Sequence, residues 1–304
     1  MLEYTYVFMK DRKLLSLLII AFIYLVALSS GYFFVHFCFH DLNPILKLFI
    51  MDVFATFIVY LASVIFKNTS IYDPYWSFVP WVLAIIAVIW FKRFTWPIFI
   101  ILAALSFWSW RLTINWIITF DDITWEDWRY KKYRENNNRF VFEIINFFGL
   151  QMMPTCIVFV SFIPFLVMTI QGSNYFALIG AAIILFGALL ELIADHEIHQ
   201  FRKDSKEMKT CQLGLWNFSR HPNYLGEISI WFGIAIPAII QYPTYWYIYP
   251  GCILMFLLFY FISIPLMEKR QVTRRDDYKI YQKTTSKLLI LPKRKLKEVE
   301  ENAD

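Results

Sequence analysis

Residues 211–236 read CQLGLWNFSRHPNYLGEISIWFGIAI. The first half is polar, with Ser219, Arg220, His221, Asn223, Tyr224 and Glu227 inside nine positions. The second half runs on through Ile228–Ile240 and is compatible with lipid. Pro222 has no backbone N–H and biases His221 away from helix, so Arg220–His221 ends a loop. A helix then starts at Pro222 or Asn223, with Glu227 about one turn further in. A helix start exposes unpaired N–H groups and partial positive charge, which suits phosphate or carboxylate. The adjacent Arg220 adds a planar fork for the same guest. An anion site at the mouth of a membrane helix points to a charged cofactor.

The rest of the chain agrees with a membrane setting. Of 304 residues, 59% are hydrophobic, 20% aromatic and only 17% charged, which excludes disorder and is too apolar for a soluble enzyme. The net charge of +5 is too small to suggest nucleic acid. Four scattered cysteines, Cys38, Cys156, Cys211 and Cys252, form no CxxC pair, so no disulfide framework or zinc knuckle is readable. The first apolar run is long enough to span and has no small-residue cleavage site, unlike a cleavable signal.

Hydropathy predicts an all-α, polytopic bundle of about seven to eight transmembrane helices. Eight segments are placed at about 14–37, 45–66, 78–92, 96–119, 144–170, 175–194, 225–241 and 246–266. The third is short enough to be a half-span or to pair with the fourth as a tight hairpin. Basic residues before segment one, in loops 120–143 and 195–224, and from Lys269 onward all fall on one face, which the positive-inside rule makes cytosolic along with both termini. Lys92 and Arg93 are the exception, on the other face. The domain reading is transmembrane helices over 1–66, one membrane domain over 67–292 and a charged tail over 293–304. A short surface helix is expected within 277–291, presenting Tyr278 and Tyr281 to the cytosolic mouth. Asn136–Asn138 reads as a polar loop run without a role.

Polar groups in or against a bilayer are costly, so Asp52, Asp73, Arg111, Glu191, Asp195 and Glu227 are functional candidates. Glu191 and Asp195 share a helix face, with Arg202 about two turns on; this face either meets a polar ligand or is a solvated helix end. His196 and His199 look like a metal pair, but five histidines are too few for a di-iron hydroxylase, and an interfacial role is favoured with no metal. Asp73 either caps a loop or sits in an apolar pocket suited to general-acid work. Arg111 needs an acidic partner among Asp73, Glu126 and Asp127. The run Trp125–Tyr130 alone reads as an interfacial helix anchored by tryptophans. No GxGxxG, GxxxxGK[ST] or Gly-x-Ser-x-Gly occurs, so a Rossmann site, a P-loop and a serine hydrolase elbow are all missing.

The run Glu191-x3-Asp195-x6-Arg202, then Gly214-Leu-Trp-x3-Arg-His-Pro-Asn-Tyr-Leu-Gly-Glu227 and Trp231-x-Gly233, resembles the C-terminal half of the steroid 5-alpha-reductase superfamily. Within it the chain is most similar to the DUF1295 branch. Pro265-x2-Glu268-x9-Tyr278-x2-Tyr281, Asp73-x2-Trp76, Trp110-Arg-Leu112 and Glu126-Asp-x-Arg-Tyr130 extend the likeness over about residues 70–292.

The resemblance implies an NADPH-dependent reductase of a carbon–carbon double bond in a lipid-like substrate of steroid, isoprenoid or fatty-acyl type. Asp195, Arg202 and Asn223 match positions that hold NADPH at the cytosolic opening, and Glu191 stands where those enzymes commonly carry asparagine. Arg220, His221 and Tyr224 belong to the same cofactor-binding block, while Glu227, Tyr278 and Tyr281 line the cavity. Asp73 falls near a substrate-facing glutamate, and the tyrosine that polarises a steroid carbonyl falls at about Trp108. Asp73, or one of Tyr72, Tyr75 and Tyr130, would then polarise the acceptor. Two rival readings remain. Isoprenylcysteine carboxyl methyltransferases share the Arg-His-Pro-x-Tyr-x-Gly block and use S-adenosylmethionine, although their Glu-Glu pair is Glu268-Lys269 here. The third is a non-catalytic lipid-binding protein. The membrane is expected to be the endoplasmic reticulum or a bacterial inner membrane.

Overall fold

The computed structural model describes residues 2–205 and 209–294. Among them the chain is helical with no strand; Ser219 and Ser286 form one isolated bridge. Eight helical stretches are long and apolar enough to cross a membrane: Asp11–Cys38, Pro44–Ile65, Thr69–Trp90, Trp96–Thr119, Arg139–Gln171, Ala177–Asp204, Pro222–Gln241 and Trp246–Arg274. Each coincides with a segment expected from hydropathy. The third is a full-length candidate span, because a tight turn over Thr69–Tyr72 leads into the helix at Tyr75. The sixth runs on to Asp204, so Asp195 and Arg202 extend one continuous helix. The charged tail lies, from residue 295 on, outside the described residues.

The helices are α1 (Leu2–Cys38), α2 (Pro44–Ile65), α3 (Tyr75–Trp90), α4 (Trp96–Thr119), α5 (Trp128–Asn136), α6 (Arg139–Ile144), α7 (Met153–Gln171), α8 (Ala177–Asp204), α9 (Pro222–Gln241), α10 (Pro250–Leu257), α11 (Ile264–Arg274) and α12 (Tyr278–Thr284). A π-helical stretch over Ile145–Met152 joins α6 to α7, and another over Leu258–Ser263 joins α10 to α11. Asn138, read only as part of a polar run, caps α6 by accepting from the Val141 N–H at 2.9 Å.

The helices form two compact units, one of Met1–Phe94 and Ser109–Ile170, the other of Thr95–Trp108 and Gln171–Asp304. In the first unit, hydrogen bonds link span ends that alternation puts on one face. Lys13 donates to Ile118 O at 3.2 Å at one end, and Arg93 to Ile170 O at 2.8 Å at the other. Its interior carries a polar seam at full burial. Tyr75 donates to Asp52 at 2.8 Å, while Thr155 is hydrogen-bonded to Thr56 at 2.9 Å and to Tyr72 at 2.8 Å. Inter-helix hydrogen bonds of this kind replace water as the partner of buried polar groups.

The second unit is built on α8 packed against α9. An added Cβ at Gly187 would stand 2.5 Å from Gly226 O, and one at Gly180 would stand 2.6 Å from Gly233 O. Only hydrogen at these positions lets the two backbones approach this closely. Ile228 of α9 forms a core cluster with Ile264 and Leu288, with Tyr224 and Phe259 packed against it.

Candidate functional site

In the second unit, the loop before α9 is held by the chain that follows α12. The helix expected over 277–291 ends at Thr284, and the residues after it run alongside Phe218–Arg220. Arg220 N donates to Ser286 O at 2.9 Å, Leu291 N to Phe218 O at 3.2 Å, and Ser219 Oγ to Leu288 O at 2.7 Å. Pairing with a neighbouring segment satisfies backbone groups that a longer helix would have left at the surface.

Arg220 is held by this arrangement through two of its three guanidinium nitrogens. Its Nε donates to Glu268 Oε1 at 2.7 Å, and its Nη1 to the carbonyls of Gln282 at 2.5 Å and Thr285 at 2.8 Å. Gln282 Nε2 donates to the other Glu268 oxygen at 2.9 Å. His221 Nε2 is 3.1 Å from Glu268 Oε1, and its ring stacks on Tyr224 with centroids 5.3 Å apart. Burial pushes the His221 pKa below its ordinary value, although Glu268 pulls the other way. Arg220 and Glu268 therefore clamp the start of α9 to α11 and α12.

Tyr281 is buried rather than turned to the mouth. Its hydroxyl donates to Trp216 O at 2.5 Å and Ser219 O at 3.1 Å, two carbonyls that water would otherwise have to satisfy. Tyr278 is also buried, and burial raises the pKa of both phenols. Glu227 accepts from two indoles, Trp108 at 3.0 Å and Trp231 at 2.8 Å, whose rings meet edge to face. Glu191 is buried on α8, with its Cγ 2.6 Å from where a Cβ of Gly226 would stand, so it lies against the first turns of α9. Asp195 is half-buried one turn on, and Arg202 is exposed.

Several buried polar atoms here, Thr285 Oγ1 among them, make no hydrogen bond among the described residues. Asn223, in the first turn of α9, has a buried Oδ1 that accepts no hydrogen bond, and the buried Nε of Arg275 donates none. Burial lowers the Arg275 pKa, and the charges of Arg202 and Arg274 lower it further. Those of Arg202 and Arg275 both act on the Cys211 thiol, whose pKa burial raises. Sequence reasoning saw Arg275 only as part of a basic tail, and Glu268 only as a mark of resemblance; Arg220 and His221, the cationic partners of Glu268, come from 48 and 47 residues away.

The first unit holds the other candidates. Tyr130, on α5, donates to Asp73 Oδ1 at 2.5 Å, and Arg129 Nη2 stands 4.0 Å from the same oxygen. Burial raises the Tyr130 pKa well above the ordinary phenol value, and Asp73 adds to that. The run Trp125–Tyr130 is more than an interfacial anchor. Glu126 accepts from Thr69 N at 2.9 Å, Asp127 N donates to Ser70 Oγ at 2.8 Å, and Asn68 Nδ2 donates to the carbonyls of Ile123 and Trp125 at 2.6 and 2.8 Å. The acids expected as partners of Arg111 have other cations or donors close by: Glu126 pairs with Arg134, Asp127 with Arg129, and Asp73 accepts from Tyr130. Tyr72 and Tyr75 are committed to the buried seam with Thr155 and Asp52.

The structure therefore brings Asp73 and Tyr130 together in one unit. The other places Glu191, Arg220, His221, Asn223, Tyr224 and Glu227 about the start of α9, packs Tyr278 against Tyr281 on α12, and carries Asp195 and Arg202 on α8.

The model of the family described as "Protein of unknown function (DUF1295)" matches residues 59–285, about three quarters of the chain. No curated protein and no solved structure matches. The chain belongs to the DUF1295 family.

Proposed function

We propose that this DUF1295 protein is an integral-membrane reductase that uses NADPH to saturate a carbon–carbon double bond in a lipid. Asn223 is the observation that carries the reading. A buried amide oxygen without a donor costs about 1–3 kcal/mol, and a ligand with an N–H at the mouth of α9 recovers it. The carboxamide of a nicotinamide is such a group. Arg202 and Arg275 repel one another as they stand, and a phosphate between them would turn that repulsion into charge-assisted hydrogen bonds. The residues present therefore fit this cofactor, with Asn223 toward its amide and Arg202 and Arg275 toward its phosphates. Arg220, His221, Glu227 and Tyr281 serve the site by fixing the loop and helix that carry Asn223.

Bound NADPH supplies the hydride. The chain supplies the acid: Tyr130 keeps its proton, held by Asp73, and turning that O–H from Asp73 to the acceptor would polarise it and deliver a proton, which the phenolate regains from water. A lipid substrate suits this setting, since Asp73 lies within the third candidate span and the segment before α5 is hydrogen-bonded to the start of that span.

Thermal unfolding in detergent with NADPH or S-adenosylmethionine tests the reading. NADPH at a hundred times its dissociation constant should add about 2.7 kcal/mol of stability. Asn223→Ala and Arg202→Ala should abolish that gain. Stabilisation by S-adenosylmethionine alone would overturn the proposal in favour of methyl transfer.

A further inference from the structure

The exception to the positive-inside pattern coincides with a cavity. In the first unit, a cavity of about 360 Å³ opens where α1 ends, α2 begins and α3 ends, a size within the range of small-ligand sites. Tyr32, His36, His40, Lys47, Trp90 and Phe91 line it. These residues sit at the ends of the first, second and third spans, on the face opposite the one that carries Lys13 and the 120–138 loop. The cavity is thus at a bilayer edge.

Its walls are of two kinds. One is aromatic: Tyr32 stacks parallel to His36 with centroids 6.0 Å apart, and Trp90 lies 5.9 Å from Tyr32. The other carries the imidazoles of His36 and His40, each able to donate one N–H, and the Lys47 ammonium, and no acidic side chain lines the cavity. The Lys47 ammonium donates to His40 O at 2.5 Å, which pins the connector over the opening. Lys92 and Arg93 follow Phe91 directly and add to the positive field. Beside it, Phe33, Phe37 and Ile89 are exposed apolar side chains on the same two helices.

Lys47, Lys92 and Arg93 outnumber the one acid of these connectors, Asp41, so this edge is net positive against the bias that governs the other loops and favours an anionic guest. We propose that this cavity binds the phosphate headgroup of an anionic phospholipid from the non-cytosolic leaflet. His36, His40 and Lys47 donate to the phosphate oxygens, the aromatic wall packs the glycerol, and the acyl chains run down the exposed faces of α1 and α3. The inference is independent of the reductase reading, because it uses none of the residues assigned to cofactor or acceptor.

The test is native mass spectrometry of delipidated protein titrated with phosphatidylglycerol or with phosphatidylcholine. Phosphatidylglycerol should bind at one site more tightly than phosphatidylcholine. Lys47→Gln should weaken it about fivefold, as expected for one cation at a membrane surface. His36→Gln with His40→Gln should weaken it further, whereas Lys47→Arg should keep it. The unfolding midpoint of each variant without lipid identifies any that fails to fold, and Lys47→Arg against Lys47→Gln decides the matter if the histidine variant does. Equal binding of the two lipids, or undiminished binding by Lys47→Gln, would overturn the proposal. Displacement of phosphatidylglycerol by millimolar inorganic phosphate would also overturn it and assign the site to free phosphate.

Discussion

The Trp108 indole donates to Glu227 at 3.0 Å, and Trp231 takes the other carboxyl oxygen at 2.8 Å. An indole of α4 thus holds a buried carboxyl of α9. Trp108 is fully buried and Glu227 is 3% exposed, so each hydrogen bond forms away from water.

Trp108→Phe keeps most of the ring volume and deletes one donor to the Glu227 carboxyl. It should cost about 1–3 kcal/mol, read as a lowered unfolding midpoint in detergent. Glu227→Gln turns an amide N–H toward one indole N–H and should cost a comparable amount. An unchanged midpoint in both variants would show that the two indoles contribute packing alone.

Gly187→Ala should be strongly destabilising, because its Cβ would meet Gly226 O at 2.5 Å and only separation of α8 from α9 relieves the contact. Gly149→Ala is the control. There a Cβ meets only the Ile145 side chain at 3.9 Å, so lower chain entropy in the unfolded state should make it neutral or stabilising by up to about 1 kcal/mol. Equal midpoints for the two variants would contradict the close α8–α9 approach.

His221 makes stability depend on pH in a definite direction. Its pKa in the folded chain is lowered by burial, so between the folded value and about 6.5 the unfolded chain binds more protons. The contribution of neutral His221 is thus complete above about pH 6.5 and is lost as pH falls through the folded value. The difference in midpoint between wild type and His221→Gln should shrink on going from pH 7.5 to pH 5. A difference that grows on acidification would reverse the sign argued here.

If Tyr130 and Asp73 activate the acceptor, Tyr130→Phe and Asp73→Asn should each lower NADPH consumption with a lipid substrate by about 10²–10³-fold, as for loss of a polarising donor. Neither should diminish the stabilisation by NADPH alone. Loss of cofactor binding in Tyr130→Phe would remove the division of roles between the two units.

The helical class, the eight spans and the position of the α9 start were legible in the sequence, because they depend on local properties: runs of apolar side chains long enough for a bilayer, and a proline that sets the residue before it. The same properties showed that Asp73, Arg220, Asn223 and Glu227 needed explanation, since a polar group in an apolar stretch is visible without coordinates. What each of them does was decided by tertiary structure. Arg220 reads as an anion fork in the sequence, yet Glu268, Gln282 and Thr285, 48 to 65 residues away, take its donors. Trp125–Tyr130 reads as an interfacial anchor, yet its acids and Tyr130 bind the turn at Asn68–Asp73. A buried donor must find an acceptor, but which one it finds depends on how distant segments pack, and hydropathy carries no record of that pairing. The sequence determined where the chain can cross a membrane and which polar groups are costly there; packing decided that Arg220 and Glu227 are clamped and that Asn223 keeps an oxygen open.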